Sequence, residues 1–179
     1  ASIIAAHTYG VSMGDITEYI FLYQGVHRRL ELKGNLNGVK IMDDYAHHPT
    51  EIKATLKSLR NISKGDIYCI FQPHTFTRTK ALLNSFADSF QNANKTIITD
   101  IYAAREIDNG EIHSKDLSKA INNMGHNSIY IPTFKEIEEY LLLNAKRDDI
   151  IITMGAGNIY LVGESLLKQL ENQNEKAAV

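Results

Sequence analysis

The 179-residue sequence has a single cysteine, no long apolar run and no excess of either charge. Cys69 alone cannot close an internal disulfide, which fits a reducing compartment. The longest apolar stretches, such as Ile150-Ile151-Ile152 and Tyr140 to Leu143, fall far short of the ~18 residues a membrane helix needs, so no membrane partner is expected. A basic start followed by an apolar stretch is absent at the N-terminus, and the expected localisation is cytoplasmic. Nineteen Lys and Arg against 21 Asp and Glu leave a net charge of −2, which argues against a nucleic-acid backbone binder. The sequence has no G-x-x-x-x-G-K-[ST] loop to cradle ATP phosphates and no G-x-S-x-G elbow to carry a nucleophilic serine. Zinc-ligand spacings are missing too, and the adjacent His47 and His48 are poorly placed for one ion, so no metal site is expected.

What is present is globular. The chain is 44% hydrophobic and 22% charged, with a mean hydropathy of −0.23. A chain of this length buries about 70% of its unfolded surface. After residue 38, short apolar runs alternate with helical patterns. Strands are expected at 39–42, 67–71, 96–99, 128–131 and 149–154. Helices are expected at 49–61, opened by Pro49 in its first turn, at 77–93, at 114–124 with Ser114 as N-cap, at 134–144 and at 158–169, with a polar tail fraying to Val179. The strands are continuous rather than alternating in polarity, as doubly buried strands are. The expected fold is α/β: a Rossmann-like, mostly parallel sheet with helices on both faces.

The first 38 residues break this rhythm. Residues 2–9 and 15–23 read as helices, and 29–33 as a strand followed by the turn signal Asn37-Gly38. The chain begins in mid-helix with no N-cap ahead of Ala1. Residues 1–24 are therefore expected to be the helical remnant of an upstream domain, Gln24-Gly25-Val26 the hinge, and 25–179 the C-terminal domain.

Ligands of open parallel sheets bind outside the carboxyl ends of the strands. Asp43-Asp44-Tyr45-Ala46-His47-His48 follows the 39–42 strand. Carboxylates there can accept from ribose hydroxyls, imidazoles can donate to phosphate or carboxylate oxygens, and the helix at Pro49 adds a positive dipole end. A capped surface loop is the structural alternative; five polar groups at one strand end favour the functional reading. Gln72, His74, Thr75, Thr77 and Arg78 follow the 67–71 strand, where a cation near a helix start suits an anionic ligand better than a bare dipole. A salt bridge to a neighbouring helix is the alternative. Arg28-Arg29 lies just after the hinge, either as a solvated pair or as a phosphate contact. Gly155-Ala156-Gly157-Asn158 only superficially resembles a dinucleotide fingerprint. Tyr160 occupies the third glycine position, and close strand-to-helix packing is the preferred reading.

These motifs, D43-DYAHHPTEI-52 and F71-QPHTFTRT-79, closely resemble the C-terminal domain of the Mur ligase family of peptidoglycan synthesis. Residues 24–31, 100–106 and 154–158 also fit, and Gln72-Pro73-His74 is most similar to the alanine-adding members. The resemblance implies an ATP- and Mg2+-dependent amide-forming ligase that joins L-alanine to the lactyl carboxylate of UDP-N-acetylmuramate through an acyl-phosphate, with roles in cell wall biogenesis, cell shape and cell division. It implies that upstream central and N-terminal domains carry the P-loop and UDP-sugar sites, and that this fragment is inactive alone and holds no cofactor tightly. It implies Arg29 on ATP phosphates and Asp44 on the ribose. Tyr45, His47, His74 and Arg78 would surround the alanine and the reacting phosphate, His47 being the catalytic candidate. Thr75 stands where some relatives carry arginine, which leaves Arg78 as the guanidinium there. Two other readings compete: a stand-alone nucleotide-binding module without catalysis, and a metallophosphohydrolase using Asp43, Asp44, His47 and His48.

Overall fold

The computed structural model describes residues 2–23 and 25–177. The sheet opens with a hairpin in which β1 (Glu31–Leu36) pairs antiparallel with β2 (Val39–Asp44). Asn37 and Gly38 both adopt positive φ, 50° and 92°. A two-residue type I′ turn demands that backbone, and Asn-Gly adopts it at least cost. The β1–β2 register slips between Leu32 and Gly34.

The other strands, β3 (Ile67–Phe71), β4 (Lys95–Ile98), β5 (Ser128–Tyr130) and β6 (Ile150–Met154), run parallel to β2. The order is β1-β2-β6-β3-β4-β5. β3 and β6 are buried at every position, which is why their sequences read as unbroken apolar runs.

Helices cover both faces. On one, α3 (Pro49–Ile62), α5 (Leu83–Ala87) and α6 (Ser114–Asn123) bury Leu56, Phe86 and Leu117 against Cys69, Phe71 and Ile152. On the other, α7 (Phe134–Asn144) and α8 (Tyr160–Ala177) bury Leu141, Val162 and Leu166 against Ile41, Ile70 and Ile151. Alternate residues of β3 thus serve opposite cores, as strand pleating requires. The expected α/β fold, mostly parallel with helices on both faces, is the one observed.

Several details differ from expectation, among them the first strand, at 31–36 rather than 29–33, and the second helix, at 13–20 rather than 15–23. The 77–93 helix is split into α4 (Phe76–Ala81) and α5, breaking at Leu82 (φ −109°, ψ 17°) and ending at Ala87. The chain leaves α5 early, so that Phe90 reaches the Phe71 ring at 5.4 Å and the Asn94 N–H reaches the Ile67 carbonyl ahead of β4. His113, not Ser114, caps α6: its Nδ1 accepts from the Lys115 N–H, while the Ser114 hydroxyl is buried on the Thr99 carbonyl at 2.6 Å. α8 starts at Tyr160 and continues to Ala177, beyond the expected end at Gln169. Near the N-terminus, α1 (Ser2–Thr8) packs on α2 (Met13–Ile20), whose first turn is capped by Ser12. Ala1, Gln24 and the last two residues, to which the abrupt start, part of the hinge and the end of the tail were assigned, lie outside the described residues. Among the described residues no helix is long and apolar enough to cross a membrane.

Candidate functional site

Because β6 lies between β2 and β3, three segments meet at the centre of the sheet's carboxyl edge: 43–48 at the end of β2 and beyond it, 72–78 after β3 and 155–159 after β6. The sequence placed the first two there and left the third to strand-helix packing. Packing is indeed extreme at that loop. A Cβ on Gly155 would lie 2.8 Å from the Gln72 carbonyl oxygen, and one on Gly157 would lie 2.3 Å from Gln72 Oε1 and 2.9 Å from Tyr102 Cγ. Only glycine lets the loops approach so closely.

Asp44 is almost fully buried and ties the first loop together. Its Oδ2 accepts from the Leu30 N–H at 2.9 Å and its Oδ1 from the Ala46 N–H at 2.7 Å. Asp43 turns the other way, accepting from Arg28 Nε at 2.8 Å and from the Thr153 hydroxyl at 2.6 Å. His48 caps α3, its Nδ1 facing the Thr50 N–H at 3.4 Å. Asp43, Asp44 and His48 therefore serve three separate partners, which argues against the phosphohydrolase arrangement. Among the described residues no three His, Cys, Asp or Glu side chains group as metal ligands.

His47 stays at the rim. Its Nδ1 lies 2.9 Å from the Tyr45 carbonyl oxygen. A carbonyl only accepts, so Nδ1 carries the proton and Nε2 is left as a lone-pair base in the neutral ring. Glu51 sits behind it, accepting from the His47 N–H at 3.1 Å. Burial pushes the Glu51 carboxyl up, but the His47 and His48 N–H groups and the charges of His47 and Arg29 more than reverse this and hold it below the usual range. Arg29 is half exposed, 3.8 Å from Glu51 Oε1 and over the Tyr45 ring at 5.7 Å.

The second loop adds His74 and Arg78. His74 stacks on Tyr102 at 5.6 Å and lies 6.1 Å from the His47 ring, which is edge-on to Tyr45 at 5.3 Å. The loop is pinned to residue 102 from both sides: the Tyr102 N–H donates to the Pro73 carbonyl, and the Thr75 N–H donates to the Tyr102 carbonyl. Thr75 takes φ 68°, a costly conformation for a β-branched residue, and thereby turns the chain into α4. Glu106 accepts from the Thr77 N–H and hydroxyl, steadying the same turn. Burial, reinforced by the charges of Arg78 and His47, pushes the His74 imidazole below its ordinary range, with Glu106 opposing. His74 Nδ1 and Arg78 Nη1 are buried without a hydrogen-bond partner among the described residues. Gln72 Oε1 is likewise buried and unpartnered. The Arg78 charge is felt by the His74 ring, and a buried cationic N–H of this kind suits an incoming carboxylate or phosphate oxygen.

Of the expected site residues, the structure thus gathers Tyr45, His47 and His74 into one chain of ring contacts, with Arg78 beside His74 and Arg29 over Tyr45. Asp44 lies beneath them, engaged with backbone. Tyr102 and Glu106 lie in the 100–106 stretch that fits the family resemblance, but nothing in the sequence revealed that they brace the second loop. Tyr160 and the buried role of Arg28 carried no sequence signal, since both depend on β6 being central.

Fold and rim together define a doubly wound α/β domain with a polar carboxyl edge built from three loops. The family described as Mur ligase, glutamate ligase domain, matches residues 28–157, and the chain belongs to that family. It is 54% identical over 168 residues to the UDP-N-acetylmuramate–L-alanine ligase of Acetivibrio thermocellus, covering 94% of this chain and 36% of that protein. The corresponding ligase of Caldanaerobacter subterraneus subsp. tengcongensis is 51% identical, with 94% and 37% covered. The chain therefore spans little more than a third of these relatives' length. Among solved structures, the UDP-N-acetylmuramate–alanine ligase of Thermotoga maritima shares the fold with a TM-score of 0.78 at 21% identity, over 96% of this chain and 36% of that one. A Thermotoga maritima MurF ligase in complex with ADP matches with a TM-score of 0.67 at 18% identity, over 97% and 38%.

Proposed function

We propose that this chain is the C-terminal part of an ATP-dependent ligase that adds L-alanine to UDP-N-acetylmuramate, and that its rim presents groups to the amino acid and the nucleotide. The observation that carries this reading is the pair of unpartnered buried nitrogens, His74 Nδ1 and Arg78 Nη1, at an edge also lined by His47 and Tyr45. Arg78 offers its fork to the carboxylate of alanine, and the His74 ring lines the same pocket. His47 Nε2 is oriented to take the proton that the attacking amine must lose. Proton transfer to a positioned imidazole suits that task. Alanine is small, so selectivity rests on its charged ends and a close-fitting wall; a single methyl decides only ~1–3 kcal/mol.

The nucleotide would meet Arg29, which is half exposed at the rim, with Asp44 buried beneath it and holding the loop that would face the ribose. A MurF ligase that shares this fold over 38% of its chain is a nucleotide-binding enzyme, solved in complex with ADP. ATP, with Mg2+, would supply activation of the sugar carboxylate. No residue of this chain is assigned to the metal.

Residues 1–24 are read as part of a preceding domain. Ile4, Tyr9, Phe21 and Leu22 on α1, α2 and the segments that follow them are exposed, a surface that a companion domain in the same polypeptide would cover. The catalytic cycle needs that companion, so the isolated chain should not turn over ATP and alanine.

The test is Arg78→Ala in the full-length ligase. Loss of a charge-assisted hydrogen bond of about 1.5–3 kcal/mol raises the KM for alanine roughly 10- to 100-fold and leaves the KM for the UDP-sugar unchanged. Unaltered alanine kinetics would remove Arg78 from the site. Ligase activity of the isolated chain at the full enzyme's rate would remove the reading of it as a fragment.

A further inference from the structure

We propose that Arg28 is a positioning residue, whose largely buried guanidinium sets the placement of Tyr45, His47 and Arg29 at the rim; the inference rests on the ligase reading for its consequence, not for its geometry. Every branch of the fork is engaged. Nε donates to Asp43 Oδ2 at 2.8 Å, Nη2 to the Gly155 carbonyl at 2.7 Å and Nη1 to the Gly157 carbonyl at 3.1 Å. Its central carbon lies 5.0 Å from the Tyr45 ring centroid and 4.8 Å from that of Tyr160. One side chain thus joins the end of β2, the turn after β6 and the start of α8.

The backbone of the same residue is equally constrained. Arg28 and Leu30 both take positive φ, 56° and 44°, flanking Arg29. Such conformations cost non-glycine residues energy and persist only where the surroundings over-determine them. Here the Arg28 N–H donates to Glu31 Oε2, the Leu30 N–H to Asp44 Oδ2, and the Tyr45 N–H to the Arg28 carbonyl at 2.7 Å. That last bond fixes the residue whose own carbonyl holds His47 Nδ1. The path from Arg28 to His47 is therefore a continuous series of hydrogen bonds, and the path to Arg29 is a single peptide held between two strained ones.

A buried Arg–Asp pair is a poor stability device by itself, because desolvation offsets most of its attraction. What the arrangement supplies is orientation. The planar fork satisfies a carboxylate and two carbonyls at once, which an ammonium cannot do. Lysine at this position keeps the charge opposite Asp43 but loses the geometry.

The experiment compares R28K and Y160L with Leu141→Ala, a core truncation at the opposite end of the strands. All are made in the full-length ligase and in this chain. In the ligase, R28K is expected to lower kcat/KM for alanine by about 10- to 100-fold, the scale of an ångström-sized misplacement, with part of the loss in KM. Y160L gives a smaller change in the same direction, and the UDP-sugar KM stays within about twofold. Leu141→Ala, which only reduces the folded fraction, leaves the alanine KM unchanged. In this chain, the Tyr45 and His47 ring resonances move in R28K and not in Leu141→Ala. Wild-type-like alanine kinetics in R28K, or a loss confined to kcat in proportion to folded enzyme, overturns the proposal. If the wild-type ligase does not use alanine, the ligase reading fails by itself. The resonance shifts then still decide the role of Arg28, and their absence overturns it.

Discussion

Gly155 offers a direct test of how tightly the three loops are packed. Its φ of +147° lies where L side chains are rarely found, and an added Cβ would sit 2.8 Å from the backbone oxygen of Gln72, which cannot swing aside. The strained backbone costs about 1–3 kcal/mol, and the forced contact a further ~1–3 kcal/mol. Gly155→Ala is therefore expected to destabilise the chain by roughly 2–6 kcal/mol, a large part of the 5–15 kcal/mol typical of a domain. At about 2–4 °C per kcal/mol for this size, the melting temperature falls by some 5–20 °C. Gly125 supplies the internal control. It too has positive φ, +83°, but nothing lies within 4 Å of its Cβ position, so Gly125→Ala carries the backbone cost alone, about 1–2 kcal/mol. Urea titrations followed by circular dichroism measure both, with the slope as a check that the unfolded surface is unchanged. Equal midpoint shifts for the two variants would refute the claim that the β6 turn is locked against Gln72.

The remaining predictions concern protonation and reactivity. His74 is pushed below the ordinary imidazole range by burial and by the neighbouring cations. Between its folded and unfolded values the unfolded chain binds more protons, so its contribution to stability is fully present above about pH 6.5 and is lost as the pH falls below it. Histidine ring NMR should show this low value, and a carboxylate bound beside Arg78 should raise it; a His74 titration at or above about 6.5 in the free chain would contradict the assignment. Cys69 is fully buried, and burial together with the Asp44 carboxylate pushes its thiol well above the usual range. A thiol reagent should label it only as fast as the chain unfolds; rapid labelling of the native protein would show the core cluster to be open.

Much of this was legible in the sequence because local chemistry and final structure agree. Asn37-Gly38 specifies its turn, Pro49 opens α3, and the runs at 67–71 and 150–154 can only be strands covered twice. The positions of Tyr45, His47, His74 and Arg78 followed from one rule, that such sheets bind ligands at their carboxyl edge. The strand order was not legible, since it depends on which crossover returns to the middle of the sheet. Without β6 between β2 and β3, the role of Arg28 is invisible, and the choice of Arg29 rests on the family resemblance alone. The split at Leu82 escaped for another reason: the apolar spacing of Leu82, Phe86 and Phe90 is helical, but Phe90 reaches Phe71 by leaving the helix. Ser114 misled as a cap because its hydroxyl had a better partner in the Thr99 carbonyl.

The two borders of the sheet have a consequence of their own. A long flat outer strand invites another chain to add to it and so seeds aggregation. Here one border is the three-residue β5, and the other is β1, whose ladder slips between Leu32 and Gly34 and whose Lys33 reaches Glu31 and Glu164. Neither presents a regular row of free amides and carbonyls to a neighbouring molecule. A sheet finished in this way gives a second copy of the chain little to add to.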